Sequence, residues 1–251
     1  MNFGALIIGD EILSGKRQDK HLPKVIETLG ARGLQLAWCH YLGDDPELIT
    51  STLERTLASS DVVFSFGGIG ATPDDHTRLC AARAAGLELR LHAHAEAEIR
   101  SRFGADITPK RLMMGEFPVG SDIIPNPYNR IPGFSLRNHY FLPGFPQMAW
   151  PMMAWVLETR YRDLFAPGRI AERSIIVRGA GESQLIDVMN QCLARYPHLK
   201  VFSLPRMGPD RHVELGVRGD AAQVPAAIGV LQLGVSTLGF QWSEPSATND
   251  L

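Results

Sequence analysis

The feature that most constrains this chain is an alternation at its start: an apolar run short enough for a strand, then a stretch with helical spacing, three times in succession. Phe3-Gly4-Ala5-Leu6-Ile7-Ile8 is apolar throughout and stops at Gly9, the pattern of a strand buried on both faces. After a polar loop from Asp10 to Arg17, Leu22, Val25, Ile26 and Leu29 recur at i, i+3, i+4 and i+7, one face of a helix that Gly30 and Gly33 bring to a stop. A second strand over 34–42 leads to Asp44-Asp45-Pro46-Glu47, where Asp44 and Glu47 have capping-box spacing and Pro46 suits a first helical turn. The next helix carries Leu48, Ile49, Thr52, Leu53, Thr56 and Leu57 on one side. A third strand, 61–66, runs into Gly67-Gly68-Ile69-Gly70, with a helix over 75–85 behind it. This order predicts a three-layer α/β/α fold around a mostly parallel sheet, whose ligands gather at the carboxyl ends of the strands.

Further along, 93–103 reads as a helix, and the proline- and glycine-marked stretch from Pro118 to Pro146 as turns and short edge strands. His139 to Leu142 reads as one more buried strand and Pro146 to Tyr161 as the helix closing the domain. Within it Met148, Trp150, Met152, Met153 and Trp155 read as helix core or a subunit interface. Ala166-Pro167-Gly168 is the linker candidate. The pattern then restarts as strand 173–177, helix 182–195, strands 200–204 and 212–217, helix 221–231 and a last strand near 235–240, a small α+β domain of βαββαβ order. The expected division is 1–166, 169–243 and a frayed tail, 244–251.

Composition narrows the partners. Lys and Arg number 25 against 27 Asp and Glu, a net charge of −2, which leaves no electrostatic footprint for a duplex-binding protein and argues against nucleic acid as a partner. With 45% hydrophobic residues the chain can bury a core. No apolar run approaches the roughly 20 residues of a membrane span, and the start has no basic leader pattern, so a cytoplasmic location without membrane association is expected. The three cysteines, Cys39, Cys80 and Cys192, lack metal-ligand spacing and read as buried free thiols.

Chemistry is sought in the loops after the strands. In Gly67 to Thr77, glycines directly after a buried strand let backbone amides approach an anion, and the following helix adds the positive end of its dipole. Asp74 and Asp75 repel phosphate by themselves but suit a divalent cation bridging them to phosphate oxygens. The competing reading makes one of them a helix N-cap. Gly9-Asp10-Glu11-Ile12-Leu13-Ser14-Gly15 places two acids and a hydroxyl at the same sheet edge, able to bind metal or orient water, or simply a solvated loop. Asp44 and Asp45 have helix capping as their alternative. Asn126-Pro127 and Leu142-Pro143-Gly144-Phe145-Pro146 indicate turns.

Taken in order, these motifs resemble the competence/damage-inducible protein A (CinA) family, whose N-terminal part is a MoaB/Mog-type molybdopterin-binding domain. The resemblance covers about 3–165, and more weakly 170–242, where Gly181-Glu182-Ser183 resembles the opening of the family's small middle domain. It implies a pterin- or nucleotide-phosphate ligand over Gly67 to Thr77, with Gly9, Ser14, Gly67, Gly68, Gly70, Thr72, Thr77, Asn126, Pro143 and Gly144 on the ligand side. The resemblance implies Asp75 and Asp44 as catalytic acids; the residue pattern itself adds Asp10 and Glu11 to them and offers Asp75, Asp74 and Asp10 as the metal ligands. The metal is expected to be magnesium or manganese, with nickel a further candidate. Molybdopterin adenylylation in molybdenum cofactor biosynthesis and metal-dependent ADP-ribose cleavage are the two activities implied, and a homodimer the implied assembly. Asp19-Lys20-His21 stands where the family has Asp-Thr-Asn, and Ala71 where it has Pro. No counterpart of the family's C-terminal nicotinamide mononucleotide amidohydrolase domain is expected. A non-catalytic pterin or nucleotide sensor is the alternative function, and a nucleic-acid or protein contact role for the small domain a weaker one.

Overall fold

β1 (Phe3–Ile8) is buried at all its positions, as a strand with helices against both faces must be. It opens the first of two units into which the chain divides, Met1–Phe165 and a second from Ala166 on. The computed structural model describes residues 1–245. In the first unit β1 is followed by α1 (Asp10–Leu13), α2 (His21–Gly30), β2 (Leu36–Leu42), α3 (Pro46–Leu57), β3 (Val62–Phe66), α4 (Thr77–Ala85), β4 (Leu89–Leu91) and α5 (Ala93–Phe103). Then come α6 (Pro109–Leu112), β5 (Glu116–Pro118), β6 (Asp122–Ile124), β7 (Gly133–Leu136), β8 (His139–Leu142) and α7 (Pro146–Arg160).

The main sheet has the order β2-β1-β3-β8-β7-β6. β1 runs parallel to β2 and β3, and β3 to β8, whereas β7 is antiparallel to both of its neighbours. Strand alternation splits the core: Phe3, Ala5 and Ile7 pack with Val25 and Leu29 of α2 and Val156 of α7, while Leu6 and Ile8 pack with Ile49 and Leu53 of α3 and Ala81 of α4. The fold is therefore the three-layer, mostly parallel α/β/α arrangement. Because the chain moves from β1 outward to β2 and then across β1 to β3, a crevice opens at the carboxyl ends of β1 and β3, the topological switch point.

Four local readings are corrected. The loop after β1 contains the helical turn α1. The buried face of α2 is His21, Val25 and Leu29, with Ile26 49% exposed, because His21 starts the stripe one position before Leu22. Asp45, not Asp44, caps α3, accepting from the amides of Glu47 and Leu48, and Leu48 lies on the exposed side. α4 starts after His76 without a side-chain cap, so neither Asp74 nor Asp75 serves as its N-cap.

The second unit contains β9 (Ile170–Arg178), α8 (Glu182–Arg195), β10 (Lys200–Arg206), β11 (His212–Asp220), α9 (Val224–Thr237) and β12 (Gln241–Ser243). Its sheet is antiparallel, in the order β10-β11-β9-β12, with a core of its own formed by Ile175, Val177 and Leu215 against Leu185, Val188 and Leu231. The strand expected at 235–240 is wrong. Val235 extends the buried row Val224, Ala227, Ile228, Leu231 by one helical step of four, so α9 continues to Thr237 and β12 begins at Gln241. Of the expected tail only 244–245 are described, and 246–251 lie outside the described residues. Cys80 and Cys192 are buried thiols, and Cys39 is half-buried. Among the described residues no helix is long and apolar enough to cross a membrane.

Candidate functional site

A cavity of about 470 Å³ lies at the switch point, lined by the loops that follow β1, β2, β3 and β8 and by the turn around Asn126. Its floor is the run Gly67 to Thr72. Gly67 (φ +104°) and Gly68 (φ +69°) adopt conformations that a side chain would strain, and a Cβ would meet the Ile8 carbonyl at Gly67 and the Thr77 hydroxyl at Gly68.

The start of α4 fixes how this run is turned. The Thr77 hydroxyl donates to Gly67 O (3.1 Å) and the Thr77 amide to Gly68 O (3.0 Å). The buried Arg78 guanidinium donates from Nε to Ile69 O (3.1 Å) and from Nη2 to Gly70 O (2.7 Å). Four successive carbonyls thus point at α4, and each planar trans peptide turns the next amide the opposite way. The amides of Gly68, Ile69, Gly70 and Ala71 have no acceptor among the described residues. Oriented free amides in a glycine-rich loop form an anion cradle.

Carboxylates stand on the rim. Asp75 Oδ2 accepts from the Thr72 amide (2.8 Å) and hydroxyl, bracing the loop while leaving Oδ1 without a hydrogen bond. Asp10 and Asp44 exchange bonds, each amide donating to the other's carboxylate (3.0 and 3.1 Å), which ties the loop after β1 to that after β2. Partial burial raises the Asp44 pKa, and the neighbouring charges of Asp10, Glu11 and Asp74 push it further up, against the lowering effect of the Asp10 amide. That crowding of negative charge is what a hard divalent cation would relieve. Among the described residues no three His, Cys, Asp or Glu side chains stand close enough to hold a metal by themselves. The donor set suits magnesium, which is commonly held by one or two carboxylates together with substrate phosphates and water.

Of the expected site residues, Gly9, Glu11, Asp44, Gly67, Gly68, Gly70, Thr72, Asp74, Asp75, Asn126, Pro143 and Gly144 line the cavity. Asp10, Ser14 and Thr77 do not. Asp10 acts through Asp44, Thr77 holds the cradle from beneath, and exposed Ser14 only ends α1 with its amide. Asn126 is buried and spends its side chain on its own turn, donating to Asn129 and Ile131 O and accepting from the Tyr128 amide. Sequence reasoning missed Arg17, Phe145 and Met148 on the wall and Arg78 behind it. No sequence signal singled out Arg78, which follows Asp74-Asp75-His76-Thr77 and reads as one more solvated residue at a helix start.

Residues 4–163 match the family model described as a probable molybdopterin binding domain. The chain is 30% identical over 201 residues to a protein of Caldivirga maquilingensis, covering 77% of each. It is 36% identical over 153 residues to a CinA-like protein of Citrifermentans bemidjiense, a match that spans 58% of this chain and 37% of that longer one. The crystal structure of CinA, of unknown function, from Thermoplasma acidophilum superposes with a TM-score of 0.58 at 30% identity, over 62% of this chain and 96% of that one. With its cradle, its acidic rim and these matches, the chain belongs to the probable molybdopterin-binding-domain family, in its CinA-like branch.

Proposed function

We propose that this protein binds the phosphates of a pterin or nucleotide ligand on the amides of Gly68 to Ala71 and carries out divalent-metal-dependent phosphoanhydride chemistry there. The observation that carries the reading is the row of four free amides facing a rim of carboxylates, a pairing that serves phosphate only when a cation lies between them. One or two of the rim carboxylates Asp75, Asp74 and Glu11, completed by ligand phosphates and water and with Asp10 behind them bracing Asp44, would hold magnesium or manganese, with nickel a further candidate; the ion would supply charge neutralisation for phosphate oxygens. The amides bind and orient the anhydride, and Asp44 lines the same cavity as a carboxylate placed to take up a proton at the rim. Two reactions fit this cradle: ADP-ribose hydrolysis, in which water attacks phosphorus and the bridging P–O bond breaks to give AMP and ribose 5-phosphate, and transfer of adenylate from ATP to a pterin phosphate, whose oxygen attacks the α-phosphorus as the α–β bridging bond breaks and pyrophosphate leaves.

The test is turnover of ADP-ribose, and of ATP with molybdopterin, each with magnesium, manganese, nickel or no metal. Metal-dependent product that Asp75→Asn abolishes while ligand binding persists is expected, and full turnover by Asp75→Asn would sink the assignment. A second reading, a non-catalytic sensor, draws on the use of Asp75 Oδ2 as a brace for Thr72. It requires tight binding with no product under any metal. A homodimer and a cytoplasmic location belong to the same proposal, and sedimentation of the purified chain tests the former.

A further inference from the structure

A second cavity, of about 430 Å³, lies between the start of α2 and the loop after β8. It shares Ile8, Glu11, Arg17, Gly144 and Phe145 with the first, so the two are contiguous along those residues. Two of its wall residues carry buried polar atoms without a partner, His21 Nδ1 and Trp150 Nε1. His21 is only 5% exposed, and its Nε2 lies 3.0 Å from the Gly144 carbonyl oxygen, which can only accept. Nε2 therefore carries the proton and Nδ1 presents a lone pair. Burial lowers the pKa of this histidine, which keeps the ring neutral. Trp150 Nε1–H can only donate. Buried polar groups are as a rule paired, and here two residues that line one cavity each carry, just behind its surface, a polar atom without a partner, one an acceptor and one a donor. The His21 ring is held in plane by stacking on Phe66 (4.5 Å between centroids, 23° between planes), and the Lys24 ammonium sits 5.6 Å from the Trp150 ring centroid.

We propose that this second cavity is the ring subsite of the ligand: a flat nitrogen heterocycle donates an N–H to His21 Nδ1 and accepts from Trp150 Nε1, while its phosphates lie on the Gly68 to Ala71 amides. The proposal rests on the phosphate reading above. Arg17, common to both cavities and without a carboxylate partner among the described residues, stands where the phosphate linking ring and cradle passes. An amino group beside a ring nitrogen offers the donor that His21 Nδ1 lacks and the acceptor that Trp150 Nε1 lacks, and both adenine and pterin carry one.

The experiment compares three probes that share a diphosphate, titrated calorimetrically into the full-length chain with magnesium: pyrophosphate, ADP and 6-hydroxymethylpterin diphosphate. At least one ring-bearing probe is expected to bind tenfold or more tighter than pyrophosphate, and the tighter of the two identifies the ring. Trp150→Phe, and separately His21→Phe, which keeps a ring against Phe66, should each remove about tenfold of that ring-bearing affinity and leave pyrophosphate unchanged. Ring-bearing probes that bind no tighter than pyrophosphate, or variants that weaken all three probes alike, would overturn the ring subsite while leaving the cradle intact. Failure of pyrophosphate itself to bind the wild type would remove the cradle and the subsite together.

Discussion

Arg78 brings a full charge into the buried first turn of α4 and donates to the carbonyls of Ile69 and Gly70, and through Nη1 to those of Met113 and Glu116. Removing the guanidinium leaves buried carbonyls without donors and frees the peptides of the cradle to rotate. Arg78→Gln is expected to cost about 3 kcal/mol of stability, at the low end of what breaking a buried charged network costs, and to weaken pyrophosphate binding as well. Urea denaturation and calorimetry together check this; stability lost with pyrophosphate affinity unchanged would deny Arg78 its hold on the amides. A second buried group sets a pH dependence. His139 is 1% exposed, and burial, then the charge of Arg137, pulls its pKa down to about 4. The unfolded chain takes up that proton near pH 6.5 and the folded chain does not, so the contribution is whole above pH 6.5 and drains as pH falls toward 4. By pH 5 the loss is about 2 kcal/mol. Denaturation midpoints of wild type and His139→Gln at pH 7 and pH 5 should differ in their pH response by that amount, and parallel responses would show that His139 does not titrate this way. At this scale the sequence was readable where residue type dictates chemistry, as in the glycines and acids of 67–77. Arg78 and His21 were not readable, because a charged or polar side chain at a helix start reads as solvated until the fold shows which way that helix faces.

The elements were more legible than their ends. A wholly apolar run for β1, a buried stripe on α3 and the proline at the start of α7 are local signals, and the structure keeps each. What failed was decided by neighbours. β-branched Val235 resembles a strand residue, yet packing of α9 on its sheet keeps it helical, and α1 is a single turn too short to carry a period. The same physics gives one substitution opposite signs in two places. Gly30 ends α2 with open space where a Cβ would go, so Gly30→Ala should stabilise by about 0.5–1 kcal/mol. Gly67 has a positive φ, and its Cβ would press on the Ile8 carbonyl, so Gly67→Ala should destabilise by at least about 2 kcal/mol and cripple anion binding. Chemical denaturation of the two variants side by side decides it; equal effects would mean that the loop after β3 relaxes without regard to its backbone angles.

On the scale of the molecule, strand order is what sequence pattern leaves open. Alternating strands and helices announce a mostly parallel sheet, but only the jump from β2 across β1 to β3 brings the loops after Ile8 and Phe66 to one crevice. The residues of the site therefore looked scattered as separate motifs, and sheet topology is what unites them. The two units have separate cores, Phe64 and Met152 among the residues of the one and Leu185 and Leu215 of the other, and the cradle belongs wholly to the first. A ligand that binds only the folded first unit stabilises that unit by RT ln(1 + [L]/Kd), about 2.7 kcal/mol at a hundredfold excess over Kd. For a unit of this size that raises the unfolding temperature by several degrees. Scanning calorimetry of the full chain with and without pyrophosphate and magnesium should move the first unit's transition upward by that much. A shift shared equally by the second unit's transition would mean that the bound state engages more of the chain than the cradle, and would relocate the site.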